Sequence, residues 1–163
     1  MLNPGEDFGM DRFVADRMLG KLAKWLRVLG HDVIYLKQAG DREILARLRE
    51  GRILLTRDRR AEPWHTQGKV FVVNANDPEE QLREVVQGLN LPRIDSALFS
   101  RCLKCNLLLE TVSREEVYEQ VPEYIWQTRH LFRRCDGCGQ VYWAGSHAER
   151  MRRKLEEVFA DYK

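Results

Sequence analysis

Apolar and polar positions along the first ninety residues alternate between two periods. Residues 12–16 (RFVAD) form a short apolar run ending in an acid. Residues 18–29 then repeat apolar side chains at helical spacing, with Met18, Leu19, Leu22, Trp25, Leu26 and Leu29 on one face and Arg17, Lys21 and Lys24 on another. Gly30 stands where a helix ends. The cycle repeats: residues 32–36 (DVIYL) read as a second strand, 41–50 as a second helix closed by Gly51, 53–56 as a third strand running on to Asp58, and 69–74 (KVFVVN) as a fourth. Asp77, Pro78 and Glu80 make a helix-start signature, with an N-cap, a proline at the first helical position and a capping-box acid; this helix is expected to reach about Gln87, with Gly88 ending it. Strands alternating with helices over short connections predict a parallel sheet wrapped by helices. The strands are nearly continuous apolar runs, as a sheet covered on both faces requires.

Residues 91–96 read as a linker, and beyond them cysteine pairs, aromatics and arginines replace the alternation. A last helix is expected from Ser146 to about Asp161, opened by a Ser-His-Ala-Glu capping pattern. The predicted organisation is a doubly wound α/β domain over residues 12–95 and a small second domain over 96–163. Residues 1–11 read as a loose leader without an apolar signal core, and the expected location is the cytoplasm. No apolar run approaches the ~20 residues that span a bilayer, so no membrane partner is expected.

Composition changes this picture little. The chain has 163 residues, 44% hydrophobic and 32% charged, with a net charge of only +2. A weak overall charge excludes a polycation, so any nucleic-acid contact must come from local clusters. Arg57, Arg59 and Arg60 form one, Arg133 and Arg134 another, and Arg150, Arg152, Arg153 and Lys154 a third. Each, taken alone, fits a solvated surface equally well.

The four cysteines carry the sharpest chemistry. Cys102 and Cys105 form one Cys-x2-Cys pair, and Cys135 and Cys138 a second. Two intervening residues let both sulfurs of a pair turn onto one tetrahedral ion. Asn106 follows the first pair and Gly139 the second, and both residue types tolerate positive φ, which predicts two knuckles of one shape. The 29-residue spacer is expected to hold a hairpin and an extra segment. A structural Zn²⁺ held by four thiolates is the expectation; two disulfides or a redox pair fit the context less well.

Three acids fall at the carboxyl ends of the predicted strands, where chemistry collects in an open parallel sheet. Asp16 ends the first, Asp58 follows the third, and Asp41 lies between the second strand and its helix. With strand order 2-1-3-4, Asp16 and Asp58 converge in one crevice. Clustered carboxylates repel unless a cation lies between them, and oxygen ligands favour Mg²⁺ or Mn²⁺. Taken singly, each acid also fits a helix or turn cap. Lys21, in the first helix turn, and His147, at the last helix start, are candidate phosphate contacts. Thr56 is either an orienting group or a plain strand residue, and Tyr142 and Trp143 are expected to pack beneath the cysteine module.

The stretches FVADRMLGKLAKWLRVLGHDV, GDREIL and GRILLTRD, followed by SRCLKCN and CDGCGQVYWAGSH, resemble the C-terminal domain family of Mut-seven-type exonucleases. The resemblance covers residues 12 to about 151. It implies a PIN-like (Rossmann-like) three-layer domain followed by a zinc ribbon, and Mg²⁺- or Mn²⁺-dependent ribonuclease chemistry with Asp16, Asp41 and Asp58 as metal-binding catalytic acids. The further acid that many PIN domains carry has no clear counterpart: Asp32 falls at the wrong edge, and Glu43 is the substitute on offer. RNA is the implied partner, with Lys21, Arg57, Arg133, Arg134 and His147 as candidate contacts. The rival readings are a non-catalytic zinc-ribbon module binding RNA or a ribosome, and a protein-interaction adaptor.

Overall fold

Phe13–Ala15, Val33–Tyr35, Ile53–Thr56 and Val70–Val72 form strands β1 to β4. They pair in parallel, in the order β2-β1-β3-β4, with Ala15 opposite both Tyr35 and Leu55 and with Thr56 opposite Val72. The register brings the carboxyl ends of β1 and β3 side by side. Phe13, Val14, Ala15 and Leu55 are fully buried, which explains why these runs are apolar at every position rather than at alternate ones. The computed structural model describes residues 9–38 and 40–162; the leader expected over residues 1–11 lies mostly outside the described residues. The chain divides into two compact units, one within residues 7–99 and one over 100–163.

Helices cover both faces of the parallel sheet. On one face Val14, Leu54 and Val70 meet Leu48, Ile44 and Leu45 of α2 (Asp41–Arg49) and Ala61 and Trp64 of a 3-10 helix at Arg59–Thr66. On the other, α1 (Gly20–Val28) and α3 (Pro78–Gly88) pack against each other, burying Leu22, Leu26, Leu82, Val85 and Val86. Phe13 and Ala15 point to that side by the alternation of strand side chains. Asp77 caps α3 as its sequence predicts, accepting from the Glu79 and Glu80 N–H groups.

Three boundaries differ from the sequence expectation. Helix α1 begins at Gly20, two residues late, because Asp16 holds the Met18 N–H in a turn. Met18 therefore leaves the apolar stripe and is 60% exposed. Gly88 is the last residue of α3 rather than the one after it; a Cβ there would lie 2.5 Å from the Phe71 ring, so the missing side chain permits helix and strand to touch. Residues 91–96, expected as a linker, lie in a segment that packs on its own unit: Leu91, Ala97 and Leu98 are buried, and the Phe99 N–H donates to the Val28 carbonyl. Gly30 receives this segment with φ +98° and with the Ala97 carbonyl where its Cβ would be.

The second unit is a three-stranded antiparallel sheet of β5 (Glu110–Val112), β6 (Phe132–Arg134) and β7 (Val141–Trp143). The extra segment of the long spacer is a 3-10 turn at Glu115–Val117 and the short helix α4 (Glu123–Thr128). It packs Val117, Val121 and Ile125 onto Phe132 and Val141. Arg114 and Trp126 fasten it: the guanidinium lies 4.1 Å from the ring centroid, and each side chain donates to the other's backbone carbonyl. Helix α5 (Ser146–Ala160) starts from Gly145 without a side-chain cap, so the expected capping box does not form. No helix among the described residues is long and apolar enough to cross a membrane.

Candidate functional site

Parallel pairing of β1 with β3 places Asp16 beside Thr56. One Asp16 carboxylate oxygen accepts from the Thr56 hydroxyl at 2.6 Å and the Arg57 N–H at 3.2 Å, and the other accepts from the Met18 N–H at 2.9 Å. The Thr56 hydroxyl in turn accepts from the Asp58 N–H at 3.0 Å. Thr56 is only 3% exposed, so this bridge is shielded from water. Thr56 thus orients a carboxylate, one of its two sequence readings.

Asp16, Asp41 and Asp58 all line one crevice of about 400 Å³ at the carboxyl edge of the sheet, together with Arg17, Arg57 and Arg60. Asp41 is the first residue of α2; Gly40, not Asp41, is the N-cap. Asp58 caps the 3-10 helix through the Arg60 N–H and is also gripped by the Arg60 guanidinium at 2.9 to 3.2 Å. Those hydrogen bonds hold the Asp58 carboxyl below its ordinary range. They also raise Arg60, with smaller contributions from the charges of Asp58 and Asp41. Arg60 is 90% exposed, a solvent-facing counter-cation rather than a buried partner.

Glu43 faces Arg47 at 4.0 Å and does not line the crevice. Asp32 is bound by Arg52, whose guanidinium also reaches the Phe13 carbonyl, so it belongs to the opposite strand edge. Among the described residues, the cysteines are the group of three or more His, Cys, Asp or Glu side chains drawn to metal-ligand separation; the aspartates share a cavity without closing that far. Oxygen donors converging from three segments fit a hard divalent cation, provided Arg60 releases Asp58.

The cysteine module is built twice from one local conformation. The Asn106 N–H donates to the Cys102 carbonyl and the Gly139 N–H to the Cys135 carbonyl, both at 2.9 Å. The Cys102 and Cys135 N–H groups donate to Leu107 and Gln140 at matching positions. Asn106 and Gly139 have φ of 68° and 75°, the positive values their residue types anticipate. All four cysteines are free, with their sulfurs within 4.8 Å of one another, and Cys102 and Cys138 are 3.7 Å apart. A tetrahedral zinc tetrathiolate has sulfurs about 3.8 Å apart, so the cage is of the right size. Gly137 closes it: a Cβ there would meet Leu107 at 2.6 Å and lie beside two of the sulfurs.

Burial raises the Cys102 thiol, but the Tyr142 hydroxyl and the Cys105 and Lys104 N–H groups outweigh it and bring the thiol down to about 6. Cys105 is pushed up to about 12, first by its hydrogen bond with Cys138 and then by burial. Burial also raises Cys135. Tyr142 accepts from the Leu103 N–H and lies 3.3 Å from the Cys102 sulfur, and Trp143 packs in the cluster around Phe132. Tyr142 thus packs on the cysteine cluster as expected, and Trp143 on the other apolar cluster of the unit.

The candidate RNA contacts scatter. Lys21 is exposed on α1 and does not line the crevice; Arg57 lines it but is tied to Asn76 at 2.5 Å and Asn74 at 3.4 Å. Arg133 and Arg134 sit on β6, pointing to opposite faces, and Arg134 pairs with Glu116 at 3.7 Å. His147 is exposed in the first turn of α5, outside the sulfur cage. The sequence reading did not single out Arg60 or Trp64 as crevice residues; their signal was the Asp58-to-Trp64 spacing after a strand, legible only once the 3-10 helix is known.

A parallel α/β unit with an acid-lined crevice, carried on one chain with a four-thiol knuckle pair, defines a two-part domain: a sheet-edge crevice and a four-cysteine module that could hold a metal ion. The family model described as the Mut7-C RNAse domain matches residues 11–155, and the chain belongs to that family. A protein named "Exonuclease mut-7 homolog", from Homo sapiens, is 28% identical over 156 residues, which cover 90% of this chain and 15% of that protein. The chain thus spans about 15% of the length of that relative. No solved structure matches the chain.

Proposed function

We infer that the chain is a Mg²⁺- or Mn²⁺-dependent ribonuclease of PIN-like build, with residues 12–95 carrying the chemistry and 96–163 forming a zinc ribbon. One observation carries the reading: Asp16, Asp41 and Asp58, from three separate segments, line a single crevice at the carboxyl edge of the sheet. A bound Mg²⁺ or Mn²⁺ would supply Lewis acidity at a phosphate oxygen and a water of lowered pKa. Asp16 is the fixed donor, since three hydrogen bonds hold it. Asp41 and Asp58 are the adjustable ones. Arg60, once off Asp58, and Arg17 would meet the phosphate, stabilising charge that develops there. In the second unit, four thiolates complete a closed zinc sphere with no open position, so that ion holds structure and does no chemistry.

The experiment is Mn²⁺-dependent cleavage of single-stranded RNA by the intact chain and by Asp41→Asn and Asp58→Asn. Lost cleavage with unchanged melting supports the reading. The rival, a non-catalytic RNA- or ribosome-binding module, is favoured by one observation: both Asp58 oxygens are already engaged by Arg60 in a capping arrangement. Metal-independent RNA binding with no cleavage of structured or unstructured RNA would establish the rival.

A further inference from the structure

The crevice has a second half that the acids do not use. Leu36, Ile44, Leu54, Ala61 and Trp64 line it from the apolar side. All five belong to the hydrophobic cluster on the α2 face, in which Ile44 and Trp64 are only half-buried. The core is therefore unsealed at this point and surfaces inside the cavity, within the same walls as Asp16, Asp41 and Asp58. Met18 lies on those walls too, beside the acid that receives its N–H. At 60% exposure it is the one large apolar side chain among the described residues of this unit that stands strongly exposed. Chain geometry explains its position, since the turn at Asp16 removes it from α1, but nothing in the fold covers it.

We propose that Met18, Ile44 and Trp64 form a subsite for one unpaired nucleobase of the strand whose phosphate the acids face. The proposal rests on the ribonuclease reading and extends it to the form of the substrate. An indole face and a polarizable thioether are sequence-tolerant partners for a flat aromatic ring. A cavity of about 400 Å³ is within the range that takes small ligands. A base can enter it only when unstacked and unpaired, so the site selects single-stranded RNA, loops or frayed ends over duplex. Arg17, Arg57 and Arg60 on the polar walls match a phosphate attached to that base.

Tryptophan fluorescence of the whole chain tests this with adenosine monophosphate, and with ribose phosphate as the base-free control. Adenosine monophosphate should quench emission, ribose phosphate should not, and Trp64→Phe should remove the quenched component while the other tryptophans remain. Met18→Gln, at an exposed position that folding does not need, should weaken nucleotide binding about fivefold or more. Both variants should lower the preference for a single-stranded oligoribonucleotide over the same sequence in a duplex. Equal binding of adenosine monophosphate and ribose phosphate, or nucleotide affinity indifferent to both substitutions, would overturn the subsite. Wild-type hydrolysis of bis-nitrophenyl phosphate in Mn²⁺ reports on the acids alone. Its absence, with quenching intact, would sink the nuclease reading and leave base recognition standing.

Discussion

The two candidate metal sites of this chain relate to their own folds in opposite ways. The crevice stands on a parallel sheet buried on both faces, and its acids sit at the rim of a core that is complete without them. In the cysteine module the ligands are core: Cys102 and Cys135 are fully buried and, with Leu109, make up one of its clusters. A site at the edge of a finished fold can gain or lose an ion and keep its shape. A site that is itself the core cannot.

Metal removal should break that symmetry most visibly. Chelation, or Cys102→Ser, should unfold the second unit, because structural zinc contributes on the order of 10–16 kcal/mol in small modules. Elemental analysis should fall from one zinc per chain to none, and limited proteolysis should then cut within residues 100–163. An intact, protease-resistant, metal-free module would reverse the comparison. At the crevice, Asp41→Asn should lower cleavage about a hundredfold or more with unchanged melting, as Asp41 is exposed and makes no side-chain cap. Asp16→Asn is a less clean variant, since an amide cannot accept all three of its donors, and melting should fall with activity.

Thr56→Val probes the join between edge site and core. It strips a hydrogen bond from half-buried Asp16 and leaves the Asp58 N–H unmet, and should cost about 1–3 kcal/mol in denaturant titration as well as activity. Stability unchanged by this substitution would mean the bridge is incidental. Gly139→Ala tests the knuckle by conformation alone, because no atom lies within 4 Å of a Cβ there. The cost should be about 1–2 kcal/mol, from positive φ. The smallest effect is at Glu116, lowered by the Ser113 N–H and hydroxyl and then by Arg134. A depressed carboxyl contributes stability above its unfolded value, near 4.5, and that contribution disappears as pH falls through the lower folded value. Glu116→Gln should therefore flatten the acid limb of the stability profile, lowering melting slightly at neutral pH and leaving it almost unmoved at the acid end.

What the sequence could disclose was set by locality. A parallel sheet wrapped by helices follows from closed apolar runs with helical patterns between them, because few topologies accept that alternation; the order 2-1-3-4 was a supposition there, and the structure has it. The knuckles were legible because Asn106 and Gly139 declare positive φ by residue type alone. The 3-10 helix after Asp58 was not: Pro63 and a mixed polar run give it no period. Nor were the pairings of Asp58 with Arg60 and Arg134 with Glu116, since an arginine's partner depends on which side chains three-dimensional packing brings within reach. Met18 was misplaced for a similar reason; its spacing fits the stripe of α1, and only the tie to Asp16 removes it.

The paired knuckles have a consequence for how the second unit comes together. Each Cys-x2-Cys turn is held by its own short backbone bonds, so either can seize an ion after ordering only a few residues. With zinc held as proposed, the other knuckle would then arrive by closing the long spacer, and the ion would become a cross-link between distant parts of the chain. Assembly would thus have two clocks, a fast local capture and a slower ring closure, and lengthening the spacer should slow the second while scarcely touching the first.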